Sequence, residues 1–176
     1  MVGYRKTGRA GPLTWLLFSI VLGCAAPRQV IIEPPAFPEG FMNARWGGMP
    51  EDVKGAVEKD GNEVFQDVTH KPRVALYAFG TYLTHPSIFS YYFTPQSKRL
   101  YRVDVTFDDP KVYGGVKEKL KGQFKEPTFS HTELDQWSWR DKSLIILQKD
   151  STHVQISYWS GPFLVKQHEE EGLERK

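Results

Sequence analysis

Alternation of apolar and polar residues marks the strands of this chain. Tyr101, Val103, Val105 and Phe107 alternate with Arg102, Asp104, Thr106 and Asp108, the pattern of a half-buried antiparallel strand. Residues 88–93 form the run before it, across a hairpin-length turn containing Pro95. Residues 74–83 supply a further strand and 64–68 a weaker one. Downstream, 137–139, 144–147 and 154–159 read as strands, with polar turns at Asp141-Lys142-Ser143 and Lys149-Asp150-Ser151-Thr152. The period changes to that of a helix twice. Pro50 opens the first helical stretch with Glu51 and Asp52 behind it, and Val53, Ala56 and Val57 share a face. In the second, Asp108 or Asp109 can cap, Pro110 suits the first turn, and Val112, Val116, Leu120 and Phe124 recur every fourth residue. Lys117, Glu118, Lys119 and Lys121 then face outward. Gly114 and Gly115 weaken this helix by ~1 kcal/mol each relative to alanine, and Pro127 stops it.

The order helix, strands, helix, strands predicts an α+β fold: a two-layer sandwich with a mostly antiparallel sheet and two helices packed on one face. One helix-plus-strands unit at 46–107 and another at 110–159 make a weak pseudo-repeat, with too little identity between the halves to be read as a sequence repeat.

Both ends depart from this pattern. Arg5, Lys6 and Arg9 precede the apolar run 13–23, the layout of an export signal. Even counted from Gly11 to Ala26 the uncharged run is 16 residues, short of the roughly 20 that span a bilayer. Val21, Leu22, Gly23 and Cys24 resemble the lipobox of bacterial lipoprotein signals. That resemblance implies removal of 1–23 and acylation (palmitate among the chains) of Cys24 as the new N-terminus, placing the protein in the cell envelope. Ala25 after the cysteine, rather than aspartate, implies sorting to the outer membrane, facing the periplasm. Residues 24–40 carry four prolines and read as a tether, within which Val30-Ile31-Ile32 either stays free or docks as a short edge strand. A single α+β domain is expected over 41–165. The charged run 166–176 is either a solvated helix or a frayed tail, and a tail is expected.

Composition removes several function classes. Cleavage after residue 23 takes three of the 23 Lys and Arg, leaving 20 against 21 Asp and Glu, a formal −1. The basic character of the full chain thus gives no argument for nucleic acid as a partner. Cys24 is the only cysteine, so no disulfide within the chain is available and packing must stabilise the fold.

A second resemblance covers most of 41–159. Arg45-Trp46-Gly47-Gly48-Met49-Pro50-Glu51-Asp52-Val53 is similar to the Trp-Gly-Met-Ser-Pro-Glu-Glu-Val opening of small uncharacterised bacterial envelope proteins, and the stretch from Leu100-Tyr101-Arg102-Val103 through Tyr113, Leu120 and Phe124-Lys125-Glu126-Pro127 to Trp137 and Ile145 follows their pattern. More distantly the chain resembles small outer-membrane-assembly lipoproteins and β-lactamase-inhibitor-like domains. Gly48-Met49 stand where Met-Ser is usual, which removes a side-chain cap, and Lys125-Glu126-Pro127 lacks the usual glycine before proline. The likeness implies a fold and a compartment, not a reaction.

No catalytic, cofactor or metal set emerges from the pattern. His70, His85, His131, His153 and His168 show no ligand spacing, although a fold could gather His131 and His153. Asp104 and Asp108 share a strand face about 13–14 Å apart, beyond the ~5–9.5 Å of glycosidase pairs; a solvated strand face and a helix cap are expected of Asp104, Asp108 and Asp109. Trp46, Trp137, Trp139, Trp159, Tyr77, Phe79, Tyr82, Tyr91 and Tyr92 either fill the core or form an aromatic patch for a protein, peptidoglycan or lipid headgroup. The expected function is that of a non-catalytic interaction or scaffold module, anchored by lipid on Cys24 and engaging an envelope protein partner. A lipid- or small-molecule-binding lipoprotein and an unrecognised hydrolase are the alternatives.

Overall fold

The computed structural model describes residues 35–69 and 74–174. The signal 1–23, Cys24, the Val30-Ile31-Ile32 patch and His70 lie outside them. In order, the elements are β1 (Gly40–Phe41), β2 (Ala44–Arg45), α1 (Pro50–Lys59), β3 (Glu63–Asp67), β4 (Ala75–Tyr82), β5 (His85–Phe93), β6 (Leu100–Phe107), a 3-10 turn (Pro110–Val112), α2 (Tyr113–Phe124), β7 (Phe129–His131), β8 (Leu134–Ser138), β9 (Leu144–Lys149), β10 (Val154–Trp159) and α3 (Gly161–Glu174). This is an α+β fold with a large antiparallel sheet, as the alternation predicts.

The eight strands of that sheet lie in the order β3-β4-β5-β6-β10-β9-β8-β7. It is two four-stranded meanders joined along their last strands. Each meander follows a helical segment opened by proline, Pro50 in one half and Pro110 in the other. The pseudo-repeat suspected from the sequence is therefore matched in topology. At the seam, Val103 opposes Tyr158, Val105 opposes Ile156 and Phe107 opposes Val154. All six are buried. They join one apolar cluster with Phe89, Tyr91, Ile145, Leu147 and Trp137 of the sheet, Val53 and Val57 of α1, and Val116, Leu120 and Phe124 of α2.

Local chemistry explains the helix starts. α1 begins at Met49 without a side-chain cap, as the missing serine implies, and relies on Pro50, Glu51 and Asp52 in its first turn. The carboxylate of Asp109 accepts from the Lys111 N–H at 2.9 Å and caps the 3-10 turn that leads into α2.

Two expectations about the ends are corrected. The segment assigned to a tether is docked from Pro35 onward. Phe37 lies between Trp46 and Trp139, ring centroids 5.8 and 5.0 Å away. Both indoles donate to that segment's carbonyls, Trp46 Nε1 to Pro38 at 2.8 Å and Trp139 Nε1 to Pro35. The charged run expected as a tail is mostly helical, within α3, and the described fold holds three helices rather than two. Its anchor is Glu170, whose carboxylate accepts from the Gln96 and Ser97 N–H groups at 2.8 and 3.0 Å and from the Ser97 hydroxyl. Phe163 adds a packing contact where only glycine fits: a Cβ on Gly47, at φ +76°, would come within 2.1 Å of its ring.

Burial alone would raise the Glu170 pKa, but the hydrogen bonds from Ser97 and Gln96 outweigh it and hold the carboxyl below its usual value. A depressed folded-state pKa contributes stability above the unfolded value, lost as pH falls through the folded one. Glu170→Gln is therefore expected to cost about 1.5 kcal/mol in urea unfolding at pH 7. The gap to wild type should narrow as pH drops below about 4.3, the ordinary glutamate value. A pH-independent gap would show that packing alone holds α3.

Candidate binding face

Strand alternation gives the sheet a second face, opposite the one that feeds the apolar cluster. Cross-strand register sets its side chains in rows. Phe79, Ile88, Thr106, Gln155 and Gln148 form one row, and Tyr77, Ser90, Asp104, Ser157 and Ile146 the next. Tyr92, Arg102, Trp159 and Leu144 form a third. Direct cross-strand neighbours of this kind interact along the whole row.

The first row ends in an exposed aromatic pair. The register shifts between Val64 and Gln66 in the edge strand β3, and Phe65 stacks on Phe79 with centroids 4.2 Å apart, Tyr77 standing 6.2 Å from Phe65. Phe65 and Phe79 are 45% and 48% exposed, unusual for stacked phenylalanines on one sheet face. Beside Phe79 lies a cavity of about 500 Å³ lined mainly by apolar groups, including Pro86, Ile88, Phe107 and Val112. Asp108 and Asp109 stand at its lining. Phe79 was among the aromatic residues singled out from the sequence; Phe65 was not. A strand reading Glu-Val-Phe-Gln-Asp, with its two apolar residues adjacent, gives no sign that its phenylalanine turns outward.

Asp104 of the second row and Arg102 of the third together correct the expected solvated strand face. Asp104 is buried, and Arg102 Nε and Nη2 each donate to one of its carboxylate oxygens, Nε at 2.7 Å. The guanidinium sits over two rings, 4.1 Å from the Trp159 centroid and 5.0 Å from that of Tyr92. The stack shields the pair from water and supplies cation–π attraction. Asp108 stays exposed as expected, 3.6 Å from the His153 ring, so it shares no site with Asp104.

The tryptophans answer the question raised by their number. Trp137 is fully buried and donates to the Lys125 carbonyl at 3.0 Å. Trp139 and Trp46 hold the docked N-terminal segment, and Trp159 covers Arg102. Tyr91 is in the core, and Tyr82 shares a 2.8 Å hydroxyl contact with buried Tyr158. The 137–139 pair thus forms no surface patch. The stacked exposed pair lies at the opposite edge of the sheet, while Phe129 on β7 is exposed at this one.

His131 is on β7 and His153 in the β9–β10 turn, with β8 and β9 between their strands. The structure does not bring them together. His85 packs edge-on against Phe107, and His168 is exposed on α3. Among the described residues no group of three or more His, Cys, Asp or Glu side chains is placed to hold a metal ion.

One polar cluster escaped the sequence reading. Asp135 on β8 is fully buried and accepts from Lys117 Nζ at 2.8 Å, from the Tyr113 hydroxyl at 2.7 Å and from the Ser130 hydroxyl. Burial would raise its pKa, but the Lys117, Ser130 and Tyr113 contacts more than offset that and keep the carboxyl below its ordinary value. The Tyr113 phenol moves the other way, raised by its own burial and by the carboxylate beside it. Two signals were available: Tyr113 and Lys117 stand one helical turn apart, and Asp135 alternates with Trp137 on the inward side of β8. With every oxygen engaged, the cluster clasps α2 to β8 and leaves no carboxylate oxygen for substrate.

Lys117→Met should destabilise the domain by about 3 kcal/mol by stranding a buried carboxylate, and adding Asp135→Asn should recover part of that loss. Urea midpoints of the two variants check this; no recovery would mean the stranded charge is not what Lys117→Met costs. No family model, curated protein or solved structure matches this chain.

Proposed function

We propose that this protein is a lipid-anchored envelope lipoprotein whose α+β domain is a non-catalytic interaction module, with the Phe65–Phe79 surface as its contact site. The single observation carrying the interaction reading is that stacked, half-exposed pair beside an apolar cavity. Apolar surface left contiguous and exposed favours association with a partner. In this reading the domain is two-layered. α1 and α2 share the sheet face bearing Phe89, Tyr91 and Val105, a placement supported by the single cluster their apolar residues join. The resemblance of the Trp46-Gly47 opening to small envelope proteins and of Val21–Cys24 to a lipobox points to the same compartment.

Anchoring sets a geometric limit. Cys24 to residue 34 is a length of 11 residues, which fully extended reaches about 40 Å. The Trp46–Phe37–Trp139 clamp ends the tether at Pro35, so the domain works within roughly that distance of the bilayer. Confinement raises the local concentration of a membrane-associated partner, and a small interface then suffices. Among the described residues no helix is long and apolar enough to cross a membrane.

A Cys24→Ser variant should leave the membrane fraction; retention there after export would refute the anchor. Phe65→Ser with Phe79→Ser should change unfolding stability by no more than about 1 kcal/mol, as surface substitutions do. The same pair should abolish crosslinking of the full chain to its envelope protein partner in membranes. A partner yield unchanged by these substitutions would place the contact elsewhere.

A further inference from the structure

Among the described residues β3 pairs with β4 alone, so the backbone groups on its outer side meet no further strand of the sheet. A groove of about 600 Å³ is lined by every residue of β3 and by Lys54 and Glu58, one turn apart on α1, and by no residue of β4. It therefore lies on the outer side, with the edge strand as one wall and the helix as the other. Walls of this kind hold an extended chain, whose backbone continues the ladder while its side chains alternate between the two faces.

Register decides what each face offers. Asp67 opposes buried Leu76 and lies 3.9 Å from Lys54, so α1 stands on the side of the apolar cluster. Phe65 stacks on Phe79 on the other side. The groove is acidic: Glu58, Glu63 and Asp67 line it against Lys54, a net −2, and Lys54 is turned to Asp67. A strand laid along β3 sets alternate side chains against Glu58 of the helix and against the exposed Phe65. Lysine or arginine suits the first set, and apolar residues the second. Acidic side chains and a bulge keep an edge strand from pairing at random. For a basic strand the same carboxylates become complementary contacts. A second copy of the chain fits badly. Two-fold pairing of β3 with itself about Phe65 sets Glu63 opposite the other copy's Asp67, like charges in direct cross-strand register.

We propose that the groove between α1 and β3 is a docking site for an extended basic segment of a protein partner, which adds to the sheet as a strand along β3. Its alternating basic and apolar side chains meet Glu58 and Phe65. The inference rests on the reading of the Phe65–Phe79 surface as a protein contact and names the kind of chain that surface takes.

The test uses the purified full chain in detergent with fluorescein-labelled hexapeptides alternating lysine with valine, lysine with phenylalanine, and arginine with valine. Fluorescence anisotropy at low salt should show saturable binding of at least one, weakened tenfold or more by Glu58→Lys. Alternating glutamate and valine should not bind, and three lysines followed by three valines should bind at least tenfold more weakly. Of two forms of the binding peptide N-methylated at alternate residues, one should lose tenfold or more, because only alternate N–H groups face the neighbouring strand. Hydrogen exchange within residues 63–67 should slow in the complex. The proposal is overturned if none of the three peptides binds, if the blockwise peptide or Glu58→Lys gives wild-type affinity, if both N-methylated forms bind equally, or if exchange in β3 is unchanged. Protection of the same amides on concentrating the chain without peptide would assign the edge to a second copy and also overturn it. If no peptide binds while Phe65→Ser with Phe79→Ser still abolishes partner crosslinking, the contact surface stands and only the added strand falls.

Discussion

The pairing of β6 with β10 is the contact on which the rest of the molecule depends. Each is the last strand of its own meander, and their antiparallel register sets Val103, Val105 and Phe107 against Tyr158, Ile156 and Val154. A slip by one residue along this seam would turn those side chains to the other face. It would also separate Arg102 from Trp159 and Asp104 from Ser157, dismantling the shielded ion pair. Core and opposite face are therefore locked by the same register, and neither half of the sheet could complete its apolar cluster alone.

Polar contacts then fasten the helices to this frame. Asp135 draws Tyr113 and Lys117 of α2 onto β8, and Glu170 ties α3 to the β5–β6 turn through two backbone N–H groups and a hydroxyl. Both carboxylates sit where burial disfavours charge, and both are kept ionised by donors in fixed positions. Such contacts give direction rather than bulk stability: an apolar helix face can slide over an apolar sheet, while a buried carboxylate tolerates few positions.

Most of the fold was legible because period-2 and period-4 patterns are local. The strands from Val64 to Trp159 and the faces of α1 and α2 follow from which residues recur at which spacing. β1, β2 and β7 were not legible, being two or three residues long, too short for a period to register. α3 was missed for a different reason: its composition is charged, and its helix is secured by Glu170 reaching residues more than 70 positions away. Of the candidate site, Phe79 and Tyr77 stood out as aromatic excess, while Phe65 carried no signal, since a bulge in β3 decides its exposure.

By itself, the sequence determined the class of fold, the positions of the main strands and two helices, the lack of a disulfide, and Cys24 as the residue with a distinctive chemical setting. These follow from short-range periodicity, composition and a local motif, each readable without knowing what lies across the sheet. Only the tertiary structure decided which aromatic rings are buried and which exposed, that Asp104 is shielded rather than solvated, and that Phe37 is held between Trp46 and Trp139. Those outcomes depend on partners distant in the chain. Burial, pairing and charge balance are properties of the assembled neighbourhood, and no single segment encodes them alone.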